Sequence, residues 1–169
     1  MSEVEIVEGF VAGAIGRVAE MHGAYYHEHW GFEPFFEAKV ATELARFVLR
    51  YRSGQDGMWL ALRAGRVEGS VIIDAEGAHG EEVAHLRWFI LSDALRGTGV
   101  GHRLVRAAVD FCAARGYRRV YLWTFEGLGA ARHLYEKSGF TLAEQRSGDQ
   151  WGTPVNEQRF VLELARTMD

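Results

Sequence analysis

Residues 4–10, VEIVEGF, alternate apolar and polar side chains, the period of a strand with one buried face. Val11, Ile15, Val18 and Met21 then recur at helical spacing, so the pattern predicts a first helix, followed by an aromatic loop over 22–32. Phe36, Val40, Leu44, Phe47 and Tyr51 mark a second helix, with Pro34 where a first turn tolerates a residue without an N–H. The run MWLALRAGRVEGSVIID (58–74) reads as two strands around a glycine-bearing turn, and VAHLRWFIL (83–91) as a third beside them. Val100, Leu104, Ala108 and Phe111 form the face of a third helix ending at Gly116. RRVYLWT (118–124) predicts a strand and GAARHLYEKSG (129–139) a short fourth helix. FTLAEQ (140–145) and EQRFVLEL (157–164) supply two last strands around a polar loop. The predicted order is β-α-α-β-β-β-α-β-α-β-β, an α/β (α+β) arrangement with helices on the faces of a mixed sheet.

Composition narrows the function classes. The chain has 169 residues, 48% of them apolar, which suits one domain over 1–169 and no linker interrupts the pattern. Lys and Arg total 19 against 23 Asp and Glu, so a formal charge of -4 gives no general reason to bind nucleic acid or an anionic membrane. A single cysteine, Cys112, excludes a disulfide framework and favours a reducing compartment. The start is acidic and lacks a signal peptide's basic region, so the expected location is the cytoplasm.

The chemistry concentrates at LRGTGVGHRL (95–104), where three glycines alternate between two arginines at a strand-to-helix junction. Such a junction aims backbone N–H groups and the positive end of a helix at phosphate oxygens. No Gly-Lys-Ser/Thr string follows, so a nucleoside triphosphate loop is excluded, and His102 stands where a dinucleotide fingerprint needs glycine. What fits is Arg-x-x-Gly-x-Gly through Arg96, Gly99 and Gly101. A turn used only for tight packing fits the same spacing.

The run LRWFILSDALRGTGVGHRLVRAAVDFCAARGYRRVYLWT, followed by AARHLYEKSGF, resembles the coenzyme-A-binding core of the GNAT superfamily of N-acetyltransferases. HGAYYHEHWGFEPFFEAKVA and WGTPVNEQRFVLEL are further similar to the acetyltransferase half of MarR-type fusion proteins, although no DNA-binding domain is expected here. The resemblance implies a mostly antiparallel sheet of about seven strands with four helices, and acetyl-CoA as co-substrate without a metal. It places the pyrophosphate on Arg96, Gly97, Thr98, Gly99, Val100, Gly101, His102 and Arg103, with Ala131, Arg132 and Lys137 beside them. It places the pantetheine arm on the main chain of Phe89, Ile90 and Leu91, and a general acid at Tyr135. The chain departs from common family usage at Asp93, often proline, and at Leu128, often asparagine.

An alkylamine must lose a proton before it attacks, and Glu82 and His85 are the candidate bases, with Glu28 and Glu126 behind them. Strand alternation puts His85, Arg87, Phe89 and Leu91 on one face. For the acceptor, Tyr25, Tyr26, Glu28, Trp30, Trp123 and Glu126 combine aromatic faces with carboxylates, which suits a small cationic amine. The same rings could instead pin two helices together. An acyl-CoA sensor without turnover and a protein acetyltransferase are the alternatives. The last strands offer an edge for a homodimer.

Overall fold

The computed structural model describes residues 3–76 and 82–165. Strand β1 (Val4–Glu8) leads into helices α1 (Ala14–Trp30) and α2 (Pro34–Leu49). Strands β2 (Gly57–Arg63), β3 (Arg66–Asp74) and β4 (Val83–Leu91) follow, then α3 (Val100–Arg115), β5 (Arg119–Phe125), α4 (Gly129–Lys137), β6 (Thr141–Gly148) and β7 (Val155–Glu163). The strands lie in the order β1-β2-β3-β4-β5-β7-β6. Every neighbouring pair is antiparallel except β4 and β5. The seven strands and four helices are those the sequence predicts.

Alternation along the strands divides the core in two. Met58, Leu60 and Ile72 join Val18, Phe36, Leu44 and Phe47 of α1 and α2 on one face. Trp59, Ala61, Val71 and Ile73 join Leu104, Ala108 and Cys112 of α3, with Tyr135 of α4, on the other. Cys112 is fully buried and its thiol is pushed up to about 12, so it packs as a small apolar group. Among the described residues no helix is long and apolar enough to cross a membrane.

Two features depart from the sequence pattern. The first is the aromatic loop: residues 22–30 continue α1, which ends only at Gly31 in the left-handed conformation. Gly23 lies where α2 crosses, and a Cβ there would run into the Glu37 side chain. A residue that looks like a helix breaker is therefore the point of close helix contact.

The second is β4. Ile72 pairs with Arg87 and Ser70 with Ile90, so β4 carries one residue more than β3 over this stretch, a β-bulge. Trp88 holds it in the left-handed region at φ 48°, and the fully buried Ser70 hydroxyl donates to its carbonyl at 2.6 Å. Alternation reverses across the bulge. Ala84, Leu86, Phe89 and Leu91 face α3, whereas Trp88 and Ile90 face the first helix pair, and His85 and Arg87 share a cavity with residues of that pair. The single face predicted for His85, Arg87, Phe89 and Leu91 is thus broken between Arg87 and Phe89.

Candidate active site

The sheet opens beside the bulge. β4 and β5 pair only at Val83–Arg119, Ala84–Val120 and His85–Tyr121, after which the strands part and the β5-facing edge of β4 has no strand partner among the described residues. The rings of His85 and Tyr121 stack at 4.4 Å where the fork begins. Both strands run toward the open end, and crevices at the carboxyl ends of parallel strands are where open α/β sheets bind ligands.

Two cavities fill the fork. One, of about 480 Å³, runs between the end of β4, the glycine loop and the start of α4, lined by Ile90, Leu91, Arg96, Gly97, Gly99, Gly101, His102 and Leu134. The other, of about 240 Å³, lies under α1 and α2 and is lined by His22, Phe36, Lys39, Glu43, His85, Arg87, Trp88, Trp123, Thr124, Tyr135 and Trp151. Tyr26, Phe89, Leu128 and Ala131 line both, so the two meet there.

The first cavity is made of main chain. A 3-10 turn over Asp93–Leu95 leads to Gly97 and Gly99, both left-handed, and Gly99 caps α3 without any side-chain hydrogen bond. Gly99 is needed for its φ of 85°, whereas Gly101 is needed for space: a Cβ there would press on Leu91, Phe89 and Leu134 at 3.1 to 3.2 Å. The Arg96 and Thr98 amides are taken by the Asp93 and Leu95 carbonyls, while Gly97, Gly99, Val100, Gly101 and His102 donate to no described residue. Five amides at a helix start make an anion cradle. Arg96 braces it: its Nε donates to Asp93 at 3.0 Å, its Nη2 to the Leu91 carbonyl at 2.9 Å, and its guanidinium lies 4.1 Å over the Tyr25 ring. Arg103 and Lys137 are exposed, and Arg132 pairs with Glu136 at 2.6 Å. None of these three lines the groove.

The second cavity is made of side chains. Tyr135 is buried against Phe89, Phe140 and Phe160, and its hydroxyl makes no hydrogen bond to a described residue. Burial, and after it the neighbouring Tyr26 phenol, pushes its pKa far above the ordinary value, so it stays protonated at any working pH. Tyr26 is raised likewise, by burial first and then by Tyr25, with Arg96 opposing. His85 is lowered to about 3, chiefly by desolvation and then by Arg87, with Asp74 opposing. His22 is lowered to about 4 by burial, and its Nδ1–H donates to the Val18 carbonyl at 2.8 Å, which leaves Nε2 as the nitrogen with a lone pair.

Of the base candidates, the structure brings only His85 to this cavity. Glu82 lies at the far, paired end of β4, where its carbonyl accepts from Arg118 and its carboxylate sits 3.9 Å from the Arg118 guanidinium. Glu126 is exposed and accepts from Asn156 at 3.0 Å. Glu28 lines, with Arg17 and Arg66, a surface cavity that adjoins the groove at Tyr25, Leu91 and Arg96 and shares no residue with the second cavity. Of the acceptor candidates, Tyr26 and Trp123 line the cavity, Tyr25 lines the groove, and Trp30 covers Phe125 edge-on from outside.

His22, Lys39, Glu43, Arg87 and Trp151 were not among the predicted site residues. For His22 a signal existed: Val18, His22 and Tyr26 recur every fourth residue, so a histidine interrupts an apolar helix face.

Known proteins bear this out at the level of family and fold. Residues 16–140 match the sequence model described as "Acetyltransferase (GNAT) family". An N-acetylaspartate synthetase from Danio rerio is 26% identical over 71% of this chain and 42% of its own length. A mycothiol acetyltransferase from Corynebacterium glutamicum is 41% identical over 39% of this chain and 23% of its own. The chain thus spans well under two thirds of these relatives. A solved acetyltransferase of the GNAT family from Staphylococcus aureus superposes with a TM-score of 0.75 at 13% identity, covering 96% of this chain and all of that one. With the splayed strands, the amide cradle and the buried tyrosine in place, the chain belongs to the GNAT family of acetyltransferases.

Proposed function

We propose that this chain is an acetyl-CoA-dependent N-acetyltransferase that acetylates the primary amine of a small molecule by direct attack in a ternary complex. The observation that carries this reading is the meeting of the two cavities at Tyr26, Phe89, Leu128 and Ala131, with Tyr135 lining the acceptor side. A diphosphate held on the amides of Gly97 and Gly99 through His102 leaves the pantetheine arm to run along β4, and its thioester reaches that junction.

The free edge of β4 then has two uses. Its unpartnered backbone groups hold the pantetheine amides, and an N–H near Phe89 stabilises the oxyanion that forms as nitrogen attacks the thioester carbonyl. The C–S bond breaks and Tyr135 gives its proton to the departing sulfur. Burial raises the phenol, but it raises a thiol in the same cavity too, so the transfer depends on their difference rather than on either value in water. On the acceptor side His85 and His22 are neutral and can accept hydrogen bonds from the incoming nitrogen. Conjugate acids this weak hold a proton only in passing, so it moves on to water.

The names of the relatives, an N-acetylaspartate synthetase and a mycothiol acetyltransferase, span unlike acceptors, so the family alone leaves this one open. The likeness to the acetyltransferase half of MarR-type fusions belongs to the same proposal. The test is free-thiol release from acetyl-CoA against a panel of amines, amino acids and peptides. Release that depends on a small amine supports the reading. Saturable acetyl-CoA binding with no release for any acceptor overturns it in favour of a sensor.

A further inference from the structure

The acceptor cavity carries a charged group whose members come from two elements. Lys39 and Glu43 lie one turn apart on α2, and Arg87 reaches them from β4. Glu43 Oε1 accepts from Lys39 Nζ at 2.9 Å and Oε2 from Arg87 Nη2 at 3.0 Å, so both oxygens of Glu43, the one carboxylate among the described residues that line this cavity, are already engaged. Arg87 Nη1 donates at 3.0 Å to Asp74, which is 2% exposed and is held from its other side by both nitrogens of the Arg50 fork at 2.9 Å. Arg50 is itself paired with Glu76, so the group as a whole is balanced, but only Lys39, Arg87 and Glu43 line the cavity, and at that wall two cations share one carboxylate.

This arrangement favours one sign of ligand. An ammonium group arriving here meets Lys39 and Arg87, and among the described residues lining the cavity it finds no carboxylate oxygen without a cation on it. A carboxylate finds the remaining protons of Lys39 and the Nε–H of Arg87, which donates to no described residue. Arg87 is fixed in advance by its two acidic partners and by the Trp88 ring 4.0 Å beneath it. The histidines that also line the cavity stay uncharged, so the positive charge at the wall comes from Lys39 and Arg87. Glu28, which supported a cationic acceptor in the sequence, lies outside.

Resting on the acetyltransferase reading above, we propose that the acceptor is an amine with a carboxylate at the end opposite the attacking nitrogen, and that Lys39 and Arg87 hold that carboxylate. Arg87 lies two residues before Phe89 at the thioester junction, across the bulge at Trp88, so neighbouring stretches of one strand would hold the two ends of the acceptor. The link between them lies along the apolar wall of Trp88, Leu122 and Phe125.

Three acceptors of matched length test this directly, in the full chain and with thiol release as the readout: δ-aminovalerate, pentylamine and cadaverine, whose far ends are anionic, neutral and cationic. The expected kcat/KM for δ-aminovalerate exceeds that of the other two by roughly 10- to 100-fold, the worth of one or two charge-assisted hydrogen bonds. Lys39→Met compresses the ratio of δ-aminovalerate to pentylamine toward one, Lys39→Arg restores it, and Glu43→Gln, which frees both cations, raises it. A cadaverine or pentylamine rate equal to or above that of δ-aminovalerate overturns the proposal while leaving an acetyltransferase. So does a Glu43→Gln variant in which the ratio of δ-aminovalerate to pentylamine is unchanged or lower. Release with none of the three, nor with glutamate or a dipeptide, overturns the acetyltransferase reading as well.

Discussion

The groove and the acceptor cavity share a wall but are built from different material. The groove is main chain: five amides and two left-handed glycines from one stretch of seven residues, 96–102, braced by a single arginine. The cavity is side chain, drawn from α1, α2, β4, β5, α4 and the turn before β7. A site made of amides recognises what every acyl-CoA has in common. One made of distant side chains can be changed residue by residue without disturbing the fold, which is how a single architecture serves many acceptors.

Substitutions on each side of the wall separate these roles. If Tyr135 is the proton donor proposed above, Tyr135→Phe should lower kcat by about a thousandfold, within the range of general acid catalysis, with acetyl-CoA affinity unchanged in calorimetry. An unchanged rate of thiol release would remove Tyr135 from the mechanism. Gly99→Asp puts a carboxylate beside the diphosphate at a position whose φ of 85° disfavours a side chain, and should weaken acetyl-CoA binding about a hundredfold. Arg96→Ala unfastens the loop from Leu91 and Asp93 and should raise the dissociation constant about tenfold, with kcat at saturation nearly unaffected. A change confined to kcat would assign Arg96 to the chemistry instead.

A further effect, on stability rather than on rate, is one of pH. A histidine whose folded pKa is depressed takes up its proton more readily when unfolded, so its contribution to stability is present above about pH 6.5. It is lost as pH falls toward 4 for His22 and 3 for His85. For His22, 5% exposed, that contribution is of order 3 kcal/mol. Melting temperature should therefore decline below pH 6.5, and His22→Phe should flatten the decline. The rate of acetylation should instead rise with pH through the acceptor's own titration, without a plateau near 6.5.

The same contrast explains what the sequence reveals. The element order and the glycine loop are legible because each is local, a period or a turn residue, whereas Tyr135 is reached only through the resemblance of HLYEKSGF to the family. The aromatic helix end is not, because Gly23 and the ring-dense run after it look like a loop. Their spacing, His22 to Tyr26 to Trp30, is helical nonetheless. The bulge at Trp88 leaves no trace in HLRWFIL, since what fixes its carbonyl is the hydroxyl of Ser70 on the next strand. The Lys39, Glu43 and Arg87 group is equally hidden. On α2 alone Lys39 and Glu43 read as an ordinary exposed pair one turn apart, and only the packing of α2 over β4 adds the second cation.

The central claim is that the backbone amides of Gly97 and of Gly99 through His102 grip a diphosphate and so deliver a thioester to the fork. Calorimetric titration of the full chain with acetyl-CoA, beside S-acetylpantetheine, which carries the same thioester and no diphosphate, tests it most directly. The account predicts saturable binding of acetyl-CoA at least about a hundredfold tighter than that of the fragment, with the gap closed by Gly99→Asp. Equal affinity for the two, or no saturation by acetyl-CoA at millimolar concentration, would contradict it.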